Sequence, residues 1–322
     1  MIKEFESRII SGMPLTKEEA SRLAANGPET LHKLFSAAEN IRKFFIGNDI
    51  EFCAIVNAKS GGCSEDCAYC AQSSKSRSEV NIYPFIGKDA VMRQALEARR
   101  GGVRRFSIVT SGKKPGKKDL KAVAKSLEEI KKAGLGVCAS LGLLNIDELS
   151  YLRDHGLERY HNNLEASEHF FPSICSTHGY REKIRTIESA LSIGLSVCSG
   201  GIFGMGESWR DRIDLAFTLR DLDVDSAPIN FLTPIKGTRL DHLQPLLPDE
   251  ALKVISIFRF ILPKKEIRVC GGRIQTLGDR HPMIFRAGAD SVMTGNYLVT
   301  TGRTCQDDLK MLITEGLQVR NG

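Results

Sequence analysis

Cys63, Cys67 and Cys70 lie in "GGCSEDCAYCAQS" (61–73) at a C-x₃-C-x₂-C spacing, with no histidine nearby and no further cysteine before Cys138. Three thiolates leave a tetrahedral structural zinc site one ligand short, and the histidine that often completes catalytic zinc is missing; an open zinc site is the second reading. A [4Fe–4S] cluster is normally tied by four cysteines. Held by three, it keeps one iron free to bind a substrate or cofactor.

Other residues carry polar or soft chemistry. In "RYHNNLEAS" (159–167) strand alternation puts His161, Asn163 and Glu165 on one face, which suits the lumen of a barrel as well as a solvent-facing edge. Cys138, Cys198 and Cys270 each fall inside a different expected strand. Singly, each reads as a small buried hydrophobe; jointly they converge if those strands form a barrel. "GGIFGMGE" (200–207) is glycine-rich after a strand but lacks the Lys-Ser/Thr of a phosphate loop, so a tight strand–helix turn explains it equally well.

These residues need elements to position them. Eight apolar or β-branched runs predict strands at 51–58, 104–111, 136–142, 159–165, 196–204, 226–233, 266–272 and 291–297, with amphipathic helical patterns between them. That alternation predicts an α/β fold, a (β/α)₈ TIM-type barrel; an open doubly wound sheet is the alternative. In both, a functional site lies at the C-terminal ends of the strands, and the cysteine stretch follows the first strand. An N-terminal helical extension is expected over 1–45, opening one helix with a capping box at Thr16 and Glu19. The barrel is expected over 46–315 and a C-terminal tail over 316–322.

The cysteine spacing, with Tyr69 before the last cysteine, resembles the signature of the radical S-adenosylmethionine superfamily. "NAKSGGCSEDCAYCAQSS", "VCASLGLL", "CSGGIFGMGES", "PINFLTPIKGT" and "VTTG" together resemble the biotin synthase family, over about residues 40–315. The resemblance implies a [4Fe–4S] cluster on Cys63, Cys67 and Cys70 whose open iron chelates S-adenosylmethionine. It implies radical insertion of sulfur into dethiobiotin, with a second, auxiliary iron–sulfur cluster as sulfur source.

By the same resemblance Tyr69, Asn163, Glu165, Gly200, Gly201, Gly204, Gly206 and Glu207 contact S-adenosylmethionine. Asn163 and Asn230 hold dethiobiotin, with Thr300 and Thr301 near its carboxylate. Cys138, Cys198 and Arg268 match auxiliary-cluster ligands. Three positions depart from the pattern: His161 replaces an asparagine, Glu165 an aspartate, and Ser107 a cysteine ligand of a [2Fe–2S] cluster. Cys270 shares a face with Arg268, so a four-iron auxiliary cluster on Cys138, Cys198 and Cys270 is expected in preference to a [2Fe–2S] cluster that keeps Ser107 and Arg268. Cys53, Cys175 and Cys305 match nothing and read as structural.

The 322 residues carry a formal charge of +6, and much of it sits in "GKKPGKKDLK" (112–121). That run reads as a solvated loop, or as a docking site for an acidic flavodoxin or ferredoxin donor. Nine cysteines without a secretion signal argue against a disulfide framework and for a cytoplasmic chain. No apolar run is long enough to span a membrane. The family resemblance further implies a homodimer that binds no nucleic acid. Rival readings are a related lyase or mutase of the hydrogenase-maturation or methylornithine type, and, from another class, an iron–sulfur scaffold or RNA-binding protein. The last two leave the polar strand at 159–165 unexplained.

Overall fold

In the computed structural model, which describes residues 1–320, parallel strands close into a barrel. The staves are β1 (Asp49–Lys59), β2 (Arg105–Thr110), β3 (Gly136–Ser140), β4 (Arg159–His161), a fifth broken into β5 (Ser196–Cys198) and β6 (Gly201–Phe203), then β7 (Ser226–Phe231), β8 (Glu266–Val269) and β9 (Ser291–Met293). Closure is made by β1 on β9, with Glu51, Phe52 and Cys53 paired to Ser291, Val292 and Met293. That pairing excludes the open sheet. All eight expected staves are present.

Helices Lys88–Arg100, Lys117–Lys132, Ile146–Asp154, Tyr180–Ser192, Trp209–Asp221 and Pro248–Ile261 cross over between successive staves. Each lays an apolar stripe on the outside of the barrel, as parallel strands buried on both faces require. Gly134 and Gly194, at φ 76° and 79°, end two of these helices in the left-handed conformation that glycine adopts without strain. Before the barrel come α1 (Ile2–Ile10), α2 (Lys17–Ala24) and α3 (Leu31–Phe45). The Thr16 hydroxyl accepts from Glu19 N at 3.2 Å, and Thr16 N donates to the Glu19 carboxylate at 3.0 Å, which makes the expected capping box. α3 packs along Pro248–Ile261, a helix buried through most of its length. Beyond the barrel, β10 (Gln318–Val319) pairs with Asp49 and Ile50 at the start of β1, so the segment expected as a tail contributes a short strand. Among the described residues no helix is long and apolar enough to cross a membrane.

The deepest inward-facing layer of the barrel is charged. Arg268 donates to Glu51 at 2.9 Å and to Ser291 at 2.9 Å, and is also paired with Glu266. Arg159 donates to Glu266 at 2.9 Å and to Ser196 at 2.9 Å, and Arg105 lies 3.4 Å from Glu51. Against the upward push of burial, Arg268 and Arg159 hold the Glu266 carboxyl well below the usual carboxylate range. A carboxyl depressed in the folded state stabilises fully above its unfolded value near ~4.3 and loses that contribution as pH falls toward the folded value. Glu266→Ala leaves two buried guanidiniums short of a partner. In urea unfolding at pH 7 it is expected to cost about 3–5 kcal/mol. The difference from the parent should shrink as the pH is lowered below ~4; a difference that is flat with pH would contradict the charged-floor account.

Candidate active site

The chain leaving β1 turns over the mouth of the barrel through Gly61 and Gly62, both at positive φ (72° and 62°). The loop is held by its own residues: Gly61 N donates to the Gln72 side chain at 3.0 Å, Cys63 N to Gln72 O at 3.1 Å, and Ser74 N to Cys63 O at 2.7 Å. Cys70 N closes a turn on Cys67 O at 3.0 Å. Cys63, Cys67 and Cys70 are therefore presented from one pinned loop, each partly accessible. Burial pushes the Cys67 and Cys70 thiols up, so both keep their protons until a metal displaces them. Soft thiolates on one loop suit iron–sulfur chemistry.

Beneath the loop the lumen encloses a cavity of about 260 Å³. Tyr69 reaches it from the cysteine loop, Asn163 from the segment just after β4, Asn230 from β7, and Thr300 from the turn after β9. His161, Cys53, Cys198, Cys270 and Arg268 form its lower wall. Ser107 and Cys138 are buried and paired in register. Each lies two residues before a cavity-lining residue, Val109 and Ser140, and so faces the same lumen one layer deeper. Among the buried polar atoms here without a protein partner are Ser107 Oγ and His161 Nε2 in the wall, and Arg105 Nε and Nη1 in the floor. Burial, then the Arg268 and Arg159 charges, hold the His161 imidazole neutral. Four thiols, these orphaned polar atoms and an excess of guanidinium over carboxylate make a donor set that fits an anionic iron–sulfur group.

Glu165 has a backbone φ of 73°, rare for a residue with a Cβ, and its Oε2 is buried without a partner. The ladder of β4 stops at His161, short of the expected 165, because this left-handed residue turns the chain. Burial raises the Glu165 carboxyl, against the opposing influence of Lys183 and of the neighbouring Asn163 and Tyr69. The glycine block sits against it: Glu165 N donates to Gly200 O at 2.9 Å and Ile202 N to Glu165 O at 3.0 Å. A Cβ on Gly200 would fall 1.9 Å from Pro228 O, so close backbone approach requires that glycine.

Not every expected contact residue reaches the cavity. Glu207 spends its carboxylate on Gly204 N (3.0 Å), Met205 N (2.7 Å) and Arg212 (2.7 Å), so it shapes the Gly204–Gly206 turn. Thr301 is exposed and is not among the cavity walls, while Thr300 is. Neither caps the helix Cys305–Thr314, whose cap is Thr304. Asn230 lines the cavity with its amide engaged, taking Gly271 N at 3.0 Å and donating to Gly201 O at 3.3 Å. Two cysteines read as structural lie at the site. Cys53 is in the lower wall, which the alternation of β1 signals; Cys175 lies 3.9 Å from Cys67, on an irregular segment with no periodicity to signal it.

Residues 58–219 match the family model of the radical SAM superfamily, and residues 228–318 match the biotin and thiamin synthesis associated domain. The chain is 56% identical over 289 residues to a biotin synthase of Thermodesulfovibrio yellowstonii, covering 90% of this chain and 91% of that one. It is 45% identical to a biotin synthase of Pelotomaculum thermopropionicum, covering 99% of this chain and 100% of the relative. Among solved structures, methylornithine synthase (PylB) superposes with a TM-score of 0.84 at 20% identity, over 98% of this chain and 97% of that one. The hydrogenase maturase HydG of Carboxydothermus hydrogenoformans superposes with 0.82 at 16%, over 98% and 78%. At such identities the structural likeness concerns the fold alone.

Cys67→Ala leaves two thiols on the loop. After anaerobic reconstitution with iron and sulfide, the variant is expected to hold about four fewer irons per chain than the parent. Iron content equal to the parent would remove the loop from the cluster assignment.

Proposed function

The chain belongs to the biotin synthase family of the radical SAM superfamily, and on that premise we propose how its residues divide the work of inserting sulfur into dethiobiotin. Cys63, Cys67 and Cys70 would hold a [4Fe–4S] cluster, which would supply an open iron for S-adenosylmethionine and the electron for its reductive cleavage. The residues around it bind and orient. Glu165, with its left-handed backbone and an unpartnered Oε2, offers its carboxyl group to the ribose hydroxyls beside Tyr69 and Asn163. Gly200 and Gly201 let the strands come close enough to form that pocket, and Glu207 holds the following turn.

Dethiobiotin occupies the cavity below. The Asn163 and Asn230 amides match the donor and acceptor pattern of its ureido ring, and Thr300 lies where its carboxylate would end. Asn230 exchanges its 3.3 Å contact with Gly201 O for the substrate. The observation that carries this reading is the vertical order of the lumen: cysteine loop at the mouth, amide-lined cavity of about 260 Å³, thiols beneath. A substrate held there meets the radical source from above and the sulfur source from below.

The lower thiols hold the auxiliary cluster, which supplies the sulfur atom. A four-iron cluster on Cys138, Cys198 and Cys270 is favoured over a two-iron cluster on Ser107, Cys138, Cys198 and Arg268. Two facts support it. Ser107 offers a hard oxygen where iron prefers thiolate. Arg268 already spends its Nη2 and Nε on Glu51, Glu266 and Ser291, and its neighbours keep it charged, so it serves as a cation. Anaerobic turnover with dethiobiotin, read by mass spectrometry, is expected to yield biotin. Mössbauer spectroscopy of the reconstituted protein should show about eight irons per chain and no two-iron component. Cys270→Ala should lose the second cluster while still cleaving S-adenosylmethionine; a variant that keeps both clusters and makes biotin would reduce Cys270 to packing.

The electron enters from the same end of the barrel. Lys113 and Lys114 are paired with Glu182 and Glu148 at 3.0 Å each, which leaves Lys117, Lys118 and Lys121 exposed at the start of helix Lys117–Lys132. This patch follows β2, at the rim that carries the cysteine loop, and suits an acidic flavodoxin or ferredoxin. Lys117→Glu with Lys118→Glu is expected to slow turnover with the protein donor, most at low salt, because the attraction is screened over ~8 Å at physiological ionic strength. Turnover with dithionite should be unchanged. Equal slowing with both reductants would place the effect elsewhere.

A further inference from the structure

Cys175 and His178 belong to neither cluster in the scheme above, yet they stand against the cysteine loop. Cys175 Sγ is 3.9 Å from Cys67 Sγ and 3.3 Å from His178 Nδ1, and the donor atoms of all three lie within 4.8 Å of one another. A tetrahedral ion bound at ~2.3 Å to sulfur and ~2.0 Å to nitrogen spaces two sulfurs by about 3.8 Å and a sulfur and nitrogen by about 3.5 Å. The two separations made by Cys175 are close to these edges. His178 Nδ1 also contacts the Glu65 carboxylate at 2.7 Å; to bind an ion it gives up that hydrogen bond and carries its ring proton on Nε2, and the carboxylate remains as a further negative charge beside the trio.

The arrangement is built rather than incidental. Asp66, between Glu65 and Cys67, accepts from Ser176 N at 2.9 Å, Thr177 N at 3.2 Å and the Thr177 hydroxyl at 3.1 Å. Ala68 N donates to Ile174 O at 2.8 Å, and Arg239 bridges Ile174 O and Asp66 O at 2.9 and 3.0 Å. Two segments more than 100 residues apart are thus zipped together on both sides of the trio. Cys175 is buried, and the His178 side chain is only 6% exposed, whereas Cys67 remains partly accessible.

We propose that Cys67, Cys175 and His178 form a mononuclear site for a divalent d-block cation, Fe²⁺ or Zn²⁺, in the cluster-free protein. The ion takes two thiolates and one imidazole and leaves a fourth position open. It releases the two thiol protons on binding, and no electron is transferred. Because Cys67 is shared, ion and radical cluster exclude one another at this residue. Fe²⁺ held here waits beside Cys63 and Cys70, whereas Zn²⁺ held here blocks assembly. The inference rests on the assignment of Cys67 to the cluster, but the test of the ion site itself does not use the cluster.

The test uses full-length protein carrying Cys63→Ala and Cys70→Ala, so that no radical cluster forms and Cys67 stays free. Titrated anaerobically with Co²⁺, it is expected to show the visible d–d bands of a four-coordinate ion and sulfur-to-cobalt charge transfer. Cobalt held by the lumen thiols is common to every variant and cancels in the difference. Adding Cys175→Ala should remove one equivalent of this cobalt. Adding His178→Gln should weaken binding and shift the d–d bands while keeping the charge transfer of two thiolates. Spectra unchanged by both substitutions would overturn the site, as would loss of cobalt with Cys175→Ala but no response to His178→Gln. In protein with all three loop cysteines, Zn²⁺ added before iron and sulfide should slow appearance of the cluster absorbance. Fe²⁺ added first should not. Equal rates after both metals would overturn the shared use of Cys67.

Discussion

The lumen is organised by the cost of burying charge. Arg105, Arg159 and Arg268 point inward from β2, β4 and β8, and only Glu51 and Glu266 answer them at the same depth. An unpaired guanidinium in a protein interior is strongly destabilising, so each carboxylate is shared between two arginines. Ser196, Ser226 and Ser291 add hydrogen bonds to Arg159, Glu266 and Arg268, whereas Arg105 keeps Nε and Nη1 without a hydrogen-bond partner, and the layer retains an excess of positive charge. The thiols one layer above lie within its field. Arg268 and Arg159 both lower the cost of ionising Cys198, and Arg159, Arg105 and Arg268 do the same for Cys138. Burial alone keeps those thiols protonated, whereas the iron–sulfur group proposed to sit there would supply the cation that ionises them and carry the negative charge that the floor lacks.

The mouth of the barrel solves a different problem. A loop that must present three thiols in fixed relation cannot rely on a strand ladder, and here it uses side chains in place of one. Gln72 takes Gly61 N while its backbone takes Cys63 N, and the Ser73 hydroxyl donates to Glu65 O at 2.5 Å. Asp66 then ties the loop to residues 176–177, far away in sequence. Such hydrogen bonds through charged groups are stronger than neutral ones, which is what a ligand loop needs to be rigid before its metal arrives.

Much of this was legible from residue spacing. The eight staves, the N-terminal capping box and the inward side shared by His161 and Asn163 follow from periodicities that local physics enforces. The three clustered cysteines were legible because their ligands are adjacent in the chain. What escaped depends on contacts between distant segments. Cys175 meets Cys67 across 108 residues. Glu207 reads as a ligand residue until Arg212 and two backbone amides are seen to occupy it. The break in the fifth stave, between β5 and β6, and the left-handed Glu165 are two sides of one packing event that no periodicity encodes. Cys53 is the instructive omission: alternation along β1 alone places it on the same face as Ile55, yet a lone cysteine in an apolar strand looks like packing.

The glycine block shows why motif and mechanism need separate arguments. Gly200 and Gly201 follow a strand as phosphate-binding glycines do, but the structure gives them a steric reason. A Cβ on Gly200 would strike Pro228 O, and one on Gly201 would lie 2.8 Å from Glu165 O. Their absence of side chain lets β4, the broken fifth stave and β7 approach at one point. At that point Glu165 N and O bond to Gly200 and Ile202, and Asn163 Oδ1 takes Gly200 N at 3.3 Å. The carboxyl group proposed to meet the cofactor and the amide proposed to meet the substrate are therefore placed by the same close approach. A larger residue at 200 would move both together, so these two binding functions stand or fall on one backbone contact.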